Sequence, residues 1–368
     1  MKVDAIDSFP FRDFLEADLL TRTAPMRCFA LILLMILAAA PLRAEPLTPM
    51  RRLAVPSDFD GKTPGKTARD VSGLACMPVP NGQRRCLLIN DESAFAQFAT
   101  LAENGLEAGG RVDLLGGSAS PQTLGTAPSG ICDKPGRFAE LDGEAVTYAA
   151  GAFYVAGSHG CSRRRGEFRL SAFHLARLRV DAGGAPSAAP ELSYRLSDML
   201  RRAGEAAPFF GRRLGDQNGM NVEGIAVTGG TLWAGLRAPS LRGEAFLVGA
   251  SVEDLFRPGH DPAMAAPRVV TIPAGEDRGI RDLAALADGR LLALVGPAQE
   301  QDLPYALLLV DPDRPETAQP LGELPRRKTG KAESLTVIEQ AGDRLHLLIG
   351  YDGPRNGGFE RYDVTVPR

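Results

Sequence analysis

Aromatic residues are scarce in this sequence. They make up 6% of 368 residues, with a single tryptophan, so a core built from it must rest on Val, Leu, Ile and Ala. Charge of one sign is also lacking. The net charge is −3 at pH 7, which excludes the broad basic field that attracts nucleic acid or an anionic membrane surface. No apolar run is long enough to span a bilayer, which takes roughly 18 residues; the best candidate, FALILLMILAAA, ends at Ala40. Cysteine is sparse, and no C-x-x-C pair occurs among Cys28, Cys76, Cys86, Cys132 and Cys161, so the common structural zinc motifs are missing. No long stretch carries helical periodicity, which argues against a bundle.

The short apolar run has its own meaning. Arg27 precedes it and Leu42-Arg43-Ala44 follows it. A basic flank, a short apolar stretch and small residues before a cut form a secretory signal peptide, here with cleavage expected after Ala44; a buried helix or a membrane anchor is the alternative. The segment before Pro25 carries Asp4, Asp7, Asp13, Glu16 and Asp18. An acidic leader opposes export, so the reading sets the true start at Met26. Residues 1–44 are then an extension and signal peptide, and 45–368 a single domain. The product is periplasmic or secreted from a bacterium, with no membrane span after cleavage. Four cysteines remain, and an even count in an oxidising compartment favours two disulfides. Three pairings are open.

A short phrase recurs along the chain: DVSGLACM at Asp70, ELDGEAVTY at Glu140, NVEGIAV at Asn221, GIRDLAAL at Gly279 and KAESLTVI at Lys331. Each copy leads through a turn into a second apolar strand: CLLIND, AFYVAGS, TLWAGLR, RLLALVG or RLHLLIG. The turns hold Asn81-Gly82, Ala150-Gly151, Gly229-Gly230, Asp288-Gly289 and Gly342-Asp343, which are hairpin signals. Third and fourth strands follow in most copies. Four antiparallel strands per repeat describe propeller blades, and the small residues of LACM, EAVT, IAVT and LAAL suit strands crowded at an axis. The expected fold is an all-β, five-bladed β-propeller, with six blades as the alternative. The last copy has only three strands, and MRRLAVP at Met50 resembles RVVTIPA, a fourth strand elsewhere. The N-terminal strand is therefore expected to complete the final blade and close the ring, which removes exposed sheet edges. SDMLRRAG near Ser197 and SVEDLF near Ser251 read as short helices in insertions.

In such a ring the start of each innermost strand and the loop after each second strand meet at one mouth of the central channel. The first set is Ser72, Asp142, Glu223, Arg281 and Glu333, with Glu144, Asp282 and Lys331 as neighbours; the second is Asp91, Glu92, Ser158, His159, Arg237, Gly296 and Asp352. Ligand-binding candidates are Asp142, Glu223, Arg237, Arg281, Glu333 and Asp352. Carboxylates gathered on an axis either hold a hard cation such as calcium, with Asp142, Glu223 and Glu333 as ligands, or pair with Arg237, Arg281 and Lys331 and tie the blades together. A third reading has each polar residue only capping its loop. The same geometry favours Cys76–Cys86, opposed on one hairpin, and Cys132–Cys161, on two loops that reach the mouth. Zinc held by Cys132, Cys161 and His159 is the alternative.

Other signals carry less. GKTPGKT at Gly61 is one residue short of a phosphate-binding loop and lacks its flanking strand and helix. AGSHG around Ser158 has Ala156 where a nucleophile elbow needs glycine. Arg163-Arg164-Arg165 reads as a solvated loop, with phosphate binding as the alternative. His174 and His346 read as packing residues, His260 as a loop residue, and His159 as the one histidine of functional interest.

The blocks LDGEAVTYAAGAFYVAGSHG at Leu141, SRRRGEFRLSAFHLARLRVD at Ser162, NVEGIAV with LWAGLRAP, and GIRDLAAL resemble the family catalogued as domain of unknown function 3616, over nearly all of the chain from Asp70 onward. That resemblance implies a β-propeller in bacterial proteins and brings no established reaction. The E-G-I-A phrase is also similar to phytase-like and lactonase-type propellers. Phytase-like relatives would imply calcium and phosphoester hydrolysis, but Ser72 and Arg281 stand where such a site takes carboxylates. Two functions are expected from these readings. One is an exported binding propeller that holds a small polar ligand, a metal ion or a periplasmic protein at the channel mouth. The other is a calcium-dependent phosphoester or lactone hydrolase, with His159 or Glu144 as acid or base and Arg237 and Arg281 neutralising an anionic substrate.

Overall fold

The computed structural model describes residues 46–103 and 105–367. The expected signal peptide, its cut after Ala44 and the start at Met26 lie outside the described residues. Five four-stranded antiparallel sheets form the blades. Blade 1 holds Val71–Pro78, Arg84–Asn90, Phe95–Leu101 and Leu106–Asp113. Blade 2 holds Gly143–Ala149, Ala152–Gly157, Leu175–Arg179 and Glu191–Ser193. Blade 3 holds Asn221–Thr228, Thr231–Ala238, Glu244–Ser251 and Arg268–Pro273. Blade 4 holds Arg278–Ala285, Leu291–Pro297, Ala306–Val310 and Gln319–Glu323. Blade 5 holds Lys331–Ala341, Arg344–Asp352 and Glu360–Thr365, and its outer strand is Arg51–Arg52.

The first strand of each blade is the innermost, and each touches the innermost strands of the blades on either side, with blade 5 returning to blade 1. The ring is therefore closed with five blades rather than six. Arg51 pairs with Arg361 and Arg52 with Glu360, so the N-terminal strand completes the final blade as the sequence predicts. Thr336 Oγ1 donates to the Leu74 carbonyl across the same seam.

Local sequence explains the hairpins. Ala150 and Gly151 both have positive φ, +47° and +77°, between the paired Ala149 and Ala152. This is the primed two-residue turn that matches strand twist. Gly229 and Gly230 repeat it at +56° and +75°. The core lies between facing blades and is aliphatic, as the shortage of aromatics requires. Between blades 4 and 5 it includes Leu292, Leu294, Leu307, Leu335, Leu347 and Ile349. The lone Trp233 packs between blades 3 and 4. One end of the channel is narrow and uncharged, with a cavity of about 90 Å³ lined by Leu74, Ala75, Val146, Thr147, Leu283 and Thr336 among others. The other end is charged.

Two expected short helices are present, Arg195–Leu200 and Val252–Leu255. Buried Arg195 fixes one against the other by donating to the carbonyls of Asp254, Arg257, Gly259 and Asp261. Both favoured disulfides are formed, Cys76–Cys86 and Cys132–Cys161. This leaves no free thiols for the zinc alternative.

Candidate functional site at the channel mouth

Every innermost strand carries a β-bulge at its mouth end. The pairing register skips one residue between Val71 and Gly73, Gly143 and Ala145, Val222 and Gly224, Ile280 and Asp282, and Ala332 and Ser334. The skipped residues are Ser72, Glu144, Glu223, Arg281 and Glu333. A bulge frees its residue from the ladder and re-aims the side chain, so the ring of bulges sets one polar residue per blade around the axis. In blades 1, 3, 4 and 5 this is the position the repeated phrase predicts. In blade 2 the equivalent residue is Glu144, two positions after Asp142. Asp142 lies just before the strand with φ of +52° and accepts a hydrogen bond from Ser158.

On the side of blades 3, 4 and 5 the charges alternate. Arg237 Nη1 lies 2.5 Å from Glu223 Oε1, Arg281 Nη1 lies 2.9 Å from Glu223 Oε2, and Arg281 Nη2 pairs with Glu333. Glu223 and Arg281 are 2% and 1% exposed. Arg237 is fixed further by the carbonyls of Ala298, at 2.8 Å, and Gln299, at 3.4 Å. Burial opposes the charge on Arg281, but Glu223 and Glu333 more than offset this and raise its pKa. Burial pushes Glu333 up to about 7, against the opposing pull of Arg281. Asp282 ties blade 4 to blade 5 by accepting the N–H of Leu335 at 2.6 Å, together with that of Leu283 at 2.7 Å. Burial outweighs both bonds and raises its pKa. The arginines thus join the blades, and two of the three proposed calcium ligands, Glu223 and Glu333, are engaged by Arg281.

On the side of blades 1 and 2 the carboxylates crowd together. Burial raises the Glu144 pKa, and the charges acting most strongly on it are Glu223, Asp142, Asp91 and Glu333, all acidic. Asp91 is pushed up to about 9 by burial and then by Asp142, Glu333, Asp70 and Asp352; its Oδ1 is buried without a partner. Asp142 is raised by burial against the pull of the Ser158 hydrogen bond. Asp352 is raised by burial, with Lys331 Nζ 3.9 Å away opposing it. Among the described residues no group of three or more His, Cys, Asp or Glu is placed to hold a metal ion.

The remaining second-set residues divide. Glu92 is exposed to solvent. Gly296 is where the Tyr305 ring passes, since a Cβ there would meet it at 2.4 Å. His159 is wholly buried with φ of +49°; its Nδ1 is 3.0 Å from Ser197 Oγ and its ring meets Phe173 edge-on. Burial lowers its pKa to about 3, and the charge that bears on it is His174. It is neutral and sealed from solvent.

Sequence reasoning passed over Glu300 and Tyr305. Arg163 Nη1 lies 2.6 Å from Glu300 Oε1, and Lys331 Nζ lies 3.7 Å from the same oxygen. A cavity of about 230 Å³ opens beside them, lined by Arg281, Gln299, Glu300, Tyr305, Lys331 and Tyr351 among others. Glu300 follows the second strand of blade 4, so the rule that singled out Arg237 and Asp352 would have found it had the loop been followed further.

Residues 188–364 match the family described as protein of unknown function (DUF3616). The family resemblance is borne out over this stretch, which holds Glu223, Arg237, Arg281, Glu333 and Asp352; the blocks at Leu141 and Ser162 precede it. No curated protein matches. Among solved structures the chain is similar to a glycosyl hydrolase from Bacteroides ovatus, at 12% identity over 87% of this chain and 92% of that one, with a TM-score of 0.42. It is also similar to an exo-beta-1,3-galactanase from Phanerochaete chrysosporium, at 8% identity over 85% and 64% of the two chains, with a TM-score of 0.43. A Penicillium chrysogenum alpha-L-arabinanase shares 11% identity over 86% and 98%, with a TM-score of 0.40. Likenesses this distant bear on neither substrate nor activity.

Proposed function

We propose that this chain is an exported binding propeller whose channel mouth takes a small polar ligand. Two disulfides fit an oxidising compartment, and among the described residues no helix is long and apolar enough to cross a membrane. The observation that carries the reading is the uncompensated half of the mouth. Buried carboxylates without counter-charges cost stability, and perturbed groups of this kind gather at functional sites. Asp91 and Glu144, both half-buried and raised by burial and acidic neighbours, have that character in part, while Glu223 and Glu333 are neutralised by arginine.

The test is calorimetry and thermal unfolding of the mature chain with small carboxylates, sugars, amines and calcium chloride. Glu144→Gln and Asp91→Asn serve as the variants, since neither breaks an ion pair of the arginine chain. At least one solute should bind, with affinity changed about tenfold by Glu144→Gln, equivalent to about 1.4 kcal/mol. Binders indifferent to both variants would remove the mouth as the site. The calcium-dependent hydrolase is the second reading, favoured by the same crowding of acids. A calcium-dependent rise in melting temperature, with phosphoester or lactone turnover lost to chelator, would select it.

A further inference from the structure

We propose that the cavity between blades 4 and 5 is the ligand's anchoring subsite, that it takes the carboxylate of a small organic acid, and that Glu300 occupies the place of that carboxylate in the unliganded protein. This deepens the proposed function and rests on it.

Four cations from three blades and one loop surround Glu300. Arg163 and Lys331 make the close contacts, at 2.6 and 3.7 Å, and Arg237 and Arg281 add their fields. Partial burial raises the Glu300 pKa, yet the four cations together hold it below the usual range. The carboxylate that draws this much positive charge is nonetheless 65% exposed on its side chain. Its loop is fixed just before it, where Arg237 holds Ala298 and Gln299 Nε2 donates to the Leu214 carbonyl at 2.6 Å. Glu300 itself is held only by ion pairs. An exposed ion pair is worth little, about 0–1 kcal/mol, so a free carboxylate can replace it at small cost.

Two further features point to a ligand. Arg281 lines the cavity, is 1% exposed, and leaves its Nε without a partner. Gln299 also lines the cavity and leaves its Oε1 buried without a partner. The other walls supply the rings of Tyr305 and Tyr351 with Leu303 and Leu324, and Arg326 and Arg327, whose charges are paired with Asp302 and Glu360. Such walls suit the carbon body of an organic acid rather than a bare inorganic anion. The guanidinium fork of Arg163 matches a carboxylate geometrically.

The experiment is calorimetry on the mature chain, its Glu300→Ala and Glu300→Gln variants, and Arg163→Gln. The probes are glutarate, glucuronate, glucose and inorganic phosphate. Removing the internal competitor should tighten glutarate or glucuronate at least about fivefold in both Glu300 variants, and Arg163→Gln should weaken it by a similar factor. Glucose should bind at least tenfold more weakly than glucuronate. Unchanged carboxylate affinity in the Glu300 variants, phosphate binding as tightly as the organic acids, or no binding by either acid would overturn the proposal. A neutral ligand sensitive to Glu144→Gln but indifferent to Glu300 would sink this inference and leave the channel mouth as the binding site.

Discussion

Arg281 Nη1 lies 2.9 Å from Glu223 Oε2, and both side chains are almost fully buried. The two residues are bulges of adjacent blades, so this pair is a bond across a blade interface. Arg281 reaches onward to Glu333 of the next blade. Replacing Arg281 with Met would keep the stem and remove the charge. Buried Glu333 would then lose its arginine partner and Glu223 one of its two, and breaking a buried pair typically costs about 3–5 kcal/mol. The expected result is a large drop in the urea midpoint of Arg281→Met, with partial recovery when Glu333→Gln is added. A midpoint within error of the wild type would show that the arginine chain does not hold the blades together.

Asp91 is one of the mouth carboxylates whose raised pKa makes stability fall with rising pH. Its folded pKa is about 9, against about 3.9 for an unperturbed Asp. Between those values the folded state holds more protons than the unfolded state, so stability falls as pH rises through the window. Glu333, at about 7, acts with the same sign. His159 and His174 act oppositely, because burial lowers them to about 3 and 4; below their unfolded pKa of about 6.5 they lose stability as pH falls. The raised carboxylates Asp91, Glu333, Glu144, Asp142, Asp282 and Asp352 outnumber the two histidines, and only the acids act above about pH 7. The melting temperature should therefore fall as pH rises from about 5, by several degrees towards pH 9. Asp91→Asn should flatten that alkaline fall and be the more stable protein at pH 8, by on the order of 1 kcal/mol. An Asp91→Asn profile parallel to the wild type would contradict this.

Repetition made the fold readable. The copies at Asp70, Asn221, Gly279 and Lys331 mark four blade entrances, and the register sets their bulges at Ser72, Glu223, Arg281 and Glu333. The copy at Glu140 misaligns because Asp142-Gly143 imitates the Glu223-Gly224 pair in letters. Its bulge falls on Glu144, and bulge register depends on hydrogen bonding across the sheet, which no single strand's sequence displays. His159 has the right place in the repeat, but a left-handed backbone turns it into the core against Phe173. Glu300 lies three residues past the second strand of blade 4 and Arg163 in a loop outside the repeat, so their meeting leaves no periodic signal.

The Cys132–Cys161 bond joins the loop entering blade 2 to the loop leaving its second strand, across a separation of 29 residues. The same segment carries a short parallel pairing of Lys134 with Glu167 and Pro135 with Phe168. Closing a loop of that size in the unfolded chain stabilises the fold by about 3–4 kcal/mol in the chain-entropy treatment. The double variant Cys132→Ser/Cys161→Ser should lose about that much in urea unfolding. It should also weaken ligand binding, because Arg163 lies only two residues after Cys161. Full stability in the double variant would show that the bond is dispensable.

Gly279 packs directly against the blade 3 backbone at the mouth. A Cβ there would lie 1.8 Å from the Arg237 carbonyl oxygen and 2.5 Å from its carbon, and backbone cannot yield as a flexible side chain does. Arg237 is also the residue that grips Glu223 and the loop leading to Glu300, so widening this contact would disturb both halves of the arginine chain. Gly279→Ala should cost about 3 kcal/mol through overpacking. Gly110→Ala is the matched control: no atom lies within 4 Å of its added Cβ, and a change of under about 0.5 kcal/mol is expected. Equal urea midpoints for the two variants would show that the blades can separate at Gly279 without penalty, and that the mouth is looser than its ion pairs imply.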